Sequence, residues 1–118
     1  MSRNYVFGLC EGRHPVPATS FIFPGEIDPT DFAAMTRMAN DAIPADAEHI
    51  DLYVTGLTAG ALAVVSVCEA RKIGLTAYHY DRQTGNYLPQ VILHYFRCGF
   101  CGKPMSGHDM FCPHCGAT

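Results

Sequence analysis

Apolar and polar positions along this chain fall into short alternating runs and two longer stretches of helical spacing. Asn4-Tyr5-Val6-Phe7-Gly8-Leu9 and Phe21-Ile22-Phe23 are short, rich in strand formers and closed by Pro/Gly punctuation, and they predict two strands. Phe32, Met35, Met38, Ala39, Ala42 and Ile43 recur at helical spacing and predict a helix, with the two methionines as core filler. Asp28 is its expected N-cap, with Pro29 at the first helical position and Asp31 facing the positive end of the dipole. Pro44 ends it, because the residue before a proline avoids the helical region. Ile50 to Thr55 alternates for much of its length and predicts a strand. Ala59 to Lys72 is apolar on nearly every side and predicts a deeply packed helix, with Cys68 inside it as a small buried hydrophobe. Arg71 and Lys72 lie near its negative end, and Gly74 is the expected stop. Leu75 to Tyr80 and Tyr87 to Tyr95 predict two more strands, joined by the turn chemistry of Asp81 to Asn86, where Gly85 and Asn86 can take positive φ. Pro89 inside the last strand points to an edge or a bulge.

This order predicts an α/β fold, with α+β as the alternative: a small sheet containing one parallel strand–helix–strand unit over residues 50–80. Parallel strands end on the same edge. Thr55, Gly56, Leu57 and Thr58 are therefore expected beside Tyr78, His79, Tyr80, Asp81 and Arg82. Ligands of open α/β sheets bind at that carboxyl edge, and the N-terminus of the following helix favours an anion. Gly56 would let a phosphate approach the backbone, and the Thr55 and Thr58 hydroxyls would donate to it. Arg82 would supply a cation, Asp81 would accept from a ribose or base, and Tyr78 or Tyr80 would stack. If the first strand is also parallel, Glu11, Arg13 and His14 join the same rim. Each residue has a plainer reading. Gly56 and Thr58 would shape a turn and cap a helix, Asp81 and Arg82 would be a solvated hairpin tip, and His79 a packed or surface imidazole. No Walker loop, dinucleotide glycine fingerprint or magnesium-type carboxylate cluster is present in the sequence.

Composition narrows the classes of function. Lys and Arg number 8 against 11 Asp and Glu, a net charge of −3, which gives no broad basic field for nucleic acid. The uncharged run Leu52 to Cys68 is broken by Thr55-Gly56-Leu57-Thr58 into two soluble elements, so no membrane association is expected. The N-terminus has no apolar signal core, and the expectation is a soluble, reduced, cytoplasmic protein.

The tail carries the most specific motif. Cys98-Gly99-Phe100-Cys101 and Cys112-Pro113-His114-Cys115 are two Cys-x-x-Cys pairs, each followed by a glycine, Gly102 and Gly116. Such turns place two thiolates on one side of a tight loop, and two facing loops make a tetrahedral four-cysteine site. This stretch resembles zinc ribbons and rubredoxin-type knuckles. The resemblance implies a closed, structural Zn2+ site at Cys98, Cys101, Cys112 and Cys115, with iron able to occupy the same thiolates and His108 and His114 as bystanders. The expected division is a small α/β domain at 1–96 and the ribbon at 97–118, with the metal supplying the ribbon's folding energy.

Leu52-Tyr53-Val54-Thr55-Gly56-Leu57-Thr58 with Ala77-Tyr78-His79-Tyr80-Asp81-Arg82 also resembles a pattern in small CRISPR-associated ring nucleases, and is similar in style to phage or prophage proteins that sequester nucleotide immune signals. It departs from those proteins in its zinc tail and in lacking their proline and aromatic residues where the helix begins. The resemblance implies a nucleotide or cyclic-nucleotide ligand of anti-phage defence signalling. It also implies, as an alternative, metal-independent phosphodiester cleavage with His79 or His14 as acid/base and Arg82 as charge stabiliser. A Cys10 nucleophile assisted by His14 is a more distant variant. A third reading makes the ribbon an adapter for a protein partner. Symmetric ligands are often held between subunits, so a homodimer or larger homo-oligomer is expected with them.

Overall fold

The computed structural model describes residues 4–12, 15–97 and 104–106, the last two of the middle stretch and 104–106 as backbone only. In chain order the elements are β1 (Asn4–Cys10), β2 (Phe21–Phe23), α1 (Phe32–Ala42), β3 (His49–Tyr53), α2 (Thr58–Ala70), β4 (Gly74–Asp81), β5 (Asn86–Leu93), β6 (Tyr95–Arg97) and β7 (Pro104–Ser106). The first five strands form one sheet in the order β2-β1-β3-β4-β5, and β6 pairs with β7 separately. β2, β1, β3 and β4 are mutually parallel and β5 returns antiparallel along β4. The fold is thus mixed α/β, and the predicted parallel unit over residues 50–80 is present. Pro89 sits on the edge strand β5, where a missing N–H is tolerated.

The core lies on one face of the sheet. Phe7, Leu9, Ile50, Leu52 and Leu75 join Met35, Ala39 and Ile43 of the first helical segment and Val64, Val67 and Cys68 of α2 in one buried cluster. In β3 the buried Ile50 and Leu52 alternate with half-exposed His49, Asp51 and Tyr53, which stand on the opposite face. Among the described residues no helix is long and apolar enough to cross a membrane.

Five local expectations are corrected. The predicted strand Tyr87 to Tyr95 ends at Leu93, and Tyr95 opens β6 in the second sheet. α1 begins later than Asp28 predicts: Asp31 is the N-cap and accepts from the Ala34 N–H at 3.1 Å. Asp28 instead closes a turn with Thr30, accepting from its N–H at 2.9 Å and its hydroxyl at 2.7 Å. Phe32 and Leu62, both expected inside, are 63% and 64% exposed. The buried stripe of α1 runs Met35, Ala39, Ile43, and Phe32 falls beside it. The stop of α2 is Lys72 at φ 58°, not Gly74, which opens β4. In the β4–β5 turn Gly85 takes positive φ and Asn86 does not.

Candidate functional site

β3 and β4 stay paired from His49↔Gly74 to Tyr53↔Tyr78. Beyond that point they part. β4 continues through residues 79–81 against β5, so the hairpin overhangs the end of β3. The chain leaving β3 makes one more bond, Val54 N–H to the Tyr78 carbonyl at 3.0 Å, then turns at Gly56 and enters α2 at Thr58. The notch between this turn and the overhanging hairpin is an open cleft of about 550 Å³, lined by Val54, Thr55, Gly56, His79, Tyr80, Arg82 and Tyr87. It lies at the carboxyl edge. β2 lies on one side of β1 and β3 on the other, so the strand order reverses between β1 and β3, while the cleft is lined from the end of β3 and from the β4–β5 hairpin, one strand away.

Gly56 has φ 81° and an added Cβ would meet nothing within 4 Å. Glycine is needed here for the backbone conformation, and the space above it stays open. Leu57 holds the N-cap position of α2 with no side-chain capping bond, so Thr58 is the first helical residue and does not cap. The Leu57 side chain is buried and plugs the core beside Gly60. The Thr55 hydroxyl is buried and points to the Cys10 carbonyl at 3.5 Å, tying the end of β3 to the end of β1. Glu11 follows β1 on this rim, its N–H donating to the Phe23 carbonyl at 3.1 Å.

On the hairpin side, His79 Nε2 meets Gln90 Oε1 at 2.8 Å, which fixes the imidazole across the strand pair. Tyr80 lines the cleft, 44% exposed, with its ring 5.4 Å from that of Tyr87 at 63°. Tyr87 donates its hydroxyl to the Pro15 carbonyl at 3.0 Å. Asp81 is occupied by the turn: its carboxylate accepts from the Thr84 hydroxyl at 2.8 Å and the Gln83 N–H at 3.2 Å. The Thr84 bond first, and the Gln83 bond after it, hold the Asp81 carboxyl below its ordinary range. Arg82 is exposed on the cleft wall. Tyr78 is placed differently from its expected stacking role. Its ring stacks on Tyr53 at 4.8 Å and 18°, outside the cleft lining. Desolvation first, and then the Asp51 carboxylate, push the Tyr78 hydroxyl above its ordinary pKa.

The structure therefore brings Thr55, Gly56, His79, Tyr80 and Arg82 around one cleft, places Leu57, Tyr78 and Asp81 in structural roles, and leaves Thr58 at the exposed helix start. Arg13, His14 and the four tail cysteines Cys98, Cys101, Cys112 and Cys115 lie outside the described residues. Cys10 is fully buried, its thiol donating to the Pro24 carbonyl at 3.3 Å, which shields it from solvent. Burial pushes the Cys68 thiol up to about 12, the inert behaviour expected of a core cysteine. Among the described residues no three His, Cys, Asp or Glu side chains converge as a metal site. Val54 and Tyr87 are lining residues not anticipated from sequence. Tyr87 was within reach, since it faces Tyr80 across the predicted turn. No family model, curated protein or solved structure matches the chain.

Proposed function

We propose that the protein binds a small phosphate-bearing ligand, a nucleotide or cyclic-nucleotide signal, in the cleft between Val54–Gly56 and His79–Arg82. The carrying observation is the cleft itself: two successive strand ends open onto one concave site of about 550 Å³ beside a helix start that no side chain caps. That volume is within the range of small-ligand sites, roughly 300–1,000 Å³. The phosphate is placed at the N–H groups that begin α2, above Gly56, with Arg82 opposite as the counter-charge. Asp81 builds the turn that presents Arg82, in place of touching a ribose.

Two substitutions test this by calorimetry with AMP, cyclic di-AMP and cyclic oligoadenylates. Arg82→Ala should weaken binding by about 1.5–3 kcal/mol, the usual worth of a charge-assisted contact. Thr58→Glu puts a negative charge where the phosphate would sit, yet a carboxylate in the first turn favours the helix. Loss of binding in Thr58→Glu with an undiminished unfolding midpoint supports the site; unchanged affinity in both variants refutes it.

One observation favours a second reading, a ring-nuclease-like phosphodiesterase. His79 lies on the cleft wall and is oriented by Gln90, the arrangement of an acid/base with its positioning partner. Chromatography after incubation with a cyclic oligoadenylate separates the two: products formed by the parent and not by His79→Ala support cleavage, and an intact ligand supports sequestration.

The proposal includes a structural zinc at Cys98, Cys101, Cys112 and Cys115. Its support is the donor chemistry and the β6–β7 pairing, in which Arg97 faces Pro104 and residues 98–103, with the first two cysteines, join the strands.

A further inference from the structure

The cleft is much larger than a phosphate needs. Inorganic phosphate displaces on the order of a few waters, each about 30 Å³, and would leave most of the 550 Å³ to solvent. Its remaining wall is aromatic. Tyr80 stands on the part of β4 that has outrun β3, so β3 does not pair beside it, and it stays 44% exposed on the cleft wall. Behind it Tyr87 is fixed from two directions, by its hydroxyl bond to Pro15 at 3.0 Å and by the Tyr53 ring edge-on at 5.0 Å and 86°. Tyr53 is in turn stacked on Tyr78. The row Tyr78–Tyr53–Tyr87 is thus a rigid backing, and Tyr80 meets it edge-on at 5.4 Å from Tyr87. Exposed aromatics scattered singly on a surface carry little meaning. One pre-positioned on a cleft wall offers contact area at small entropic cost.

We propose that Tyr80 reads a planar base, so that the cleft takes a base-bearing phosphate in preference to a sugar phosphate or inorganic phosphate. This rests on the nucleotide reading above and adds the residue that selects for the base. The plainer role for Tyr80 is a cross-strand aromatic pair that only steadies the hairpin.

Titration of the full, metal-loaded chain with AMP, ribose 5-phosphate and inorganic phosphate distinguishes these roles. AMP should bind about tenfold or more tighter than ribose 5-phosphate, the scale of one base–aromatic stack. Tyr80→Leu should collapse that ratio towards one, and Tyr80→Phe should keep it. Unfolding midpoints of both variants check the fold. A ratio near one in the parent chain, or a ratio untouched by Tyr80→Leu, overturns the inference and leaves the phosphate site standing. Absence of binding by all three probes also overturns the inference, and the cyclic-nucleotide titrations then decide the phosphate reading by themselves.

Discussion

Lys72 holds φ 58°, a left-handed conformation in which its Cβ crowds the following carbonyl. The reason is the ending of α2. The Ile73 N–H reaches back to the Cys68 carbonyl at 2.8 Å and the Lys72 N–H to the Glu69 carbonyl at 3.3 Å, the paired bonds of a Schellman stop. That stop requires the left-handed residue at Lys72, where glycine is the usual choice. The nearby Gly74 serves another need: a Cβ there would sit 2.6 Å from His49 Nδ1. A stop was thus legible in the sequence, but the glycine that suggested it marks a close approach between strands. Lys72→Gly should stabilise the chain by about 0.5–1 kcal/mol, measured by urea unfolding. A loss of stability would instead mean that the Lys72 Nζ contact over the Tyr95 ring, at 5.7 Å, outweighs the strain.

Among elements, one side chain ties the end of α2 to the end of α1. Arg71, at the C-cap of α2, donates to the carbonyls of Asn40 at 3.2 Å, Ile43 at 3.2 Å and Pro44 at 2.7 Å. These carbonyls close the C-terminal end of α1, where Pro44 prevents further helical bonding. Arg71→Ala should cost about 1–3 kcal/mol, because it strips the charged donor from several carbonyls at once. Arg71→Lys should recover only part, since an ammonium lacks the planar fork. A cost within 0.5 kcal/mol of zero, the usual range for exposed positions, would show the clamp to be ornamental. Strand-former runs, Pro/Gly punctuation and apolar spacing made the strands of the main sheet and both helices legible, because they are local. They did not show which flank of a helix finds a neighbour, so Phe32 and Leu62 were misplaced. Two acids three residues apart, Asp28 and Asp31, both suit a cap, and only the turn around Pro29 decides between them.

At the scale of the molecule, the carboxyl edge followed from a strand–helix–strand unit alone, and so did the meeting of Thr55 and Gly56 with His79, Tyr80 and Arg82. The strand order, the overhang of β4 past β3 and the Tyr87–Pro15 bond join distant parts of the chain, and no local pattern encodes them. The last question at this scale is what holds the second sheet. β6 and β7 are three residues each, too short a pair to persist alone in water. The five-stranded sheet, by contrast, has a core including the fully buried Leu9, Met35, Ile50 and Leu75. If four thiolates bind zinc, the metal supplies the ordering energy of the tail and little of the sheet's. The purified chain should then carry one zinc. Its removal by a chelator, or Cys98→Ser, should erase hydrogen-exchange protection at residues 95–97, 105 and 106 while the amides of Ile50, Leu52 and Leu75 remain protected. Undiminished protection of the small pair without metal would refute a structural zinc. Loss of protection throughout would refute the division at residue 97, and make the metal a staple of the whole fold.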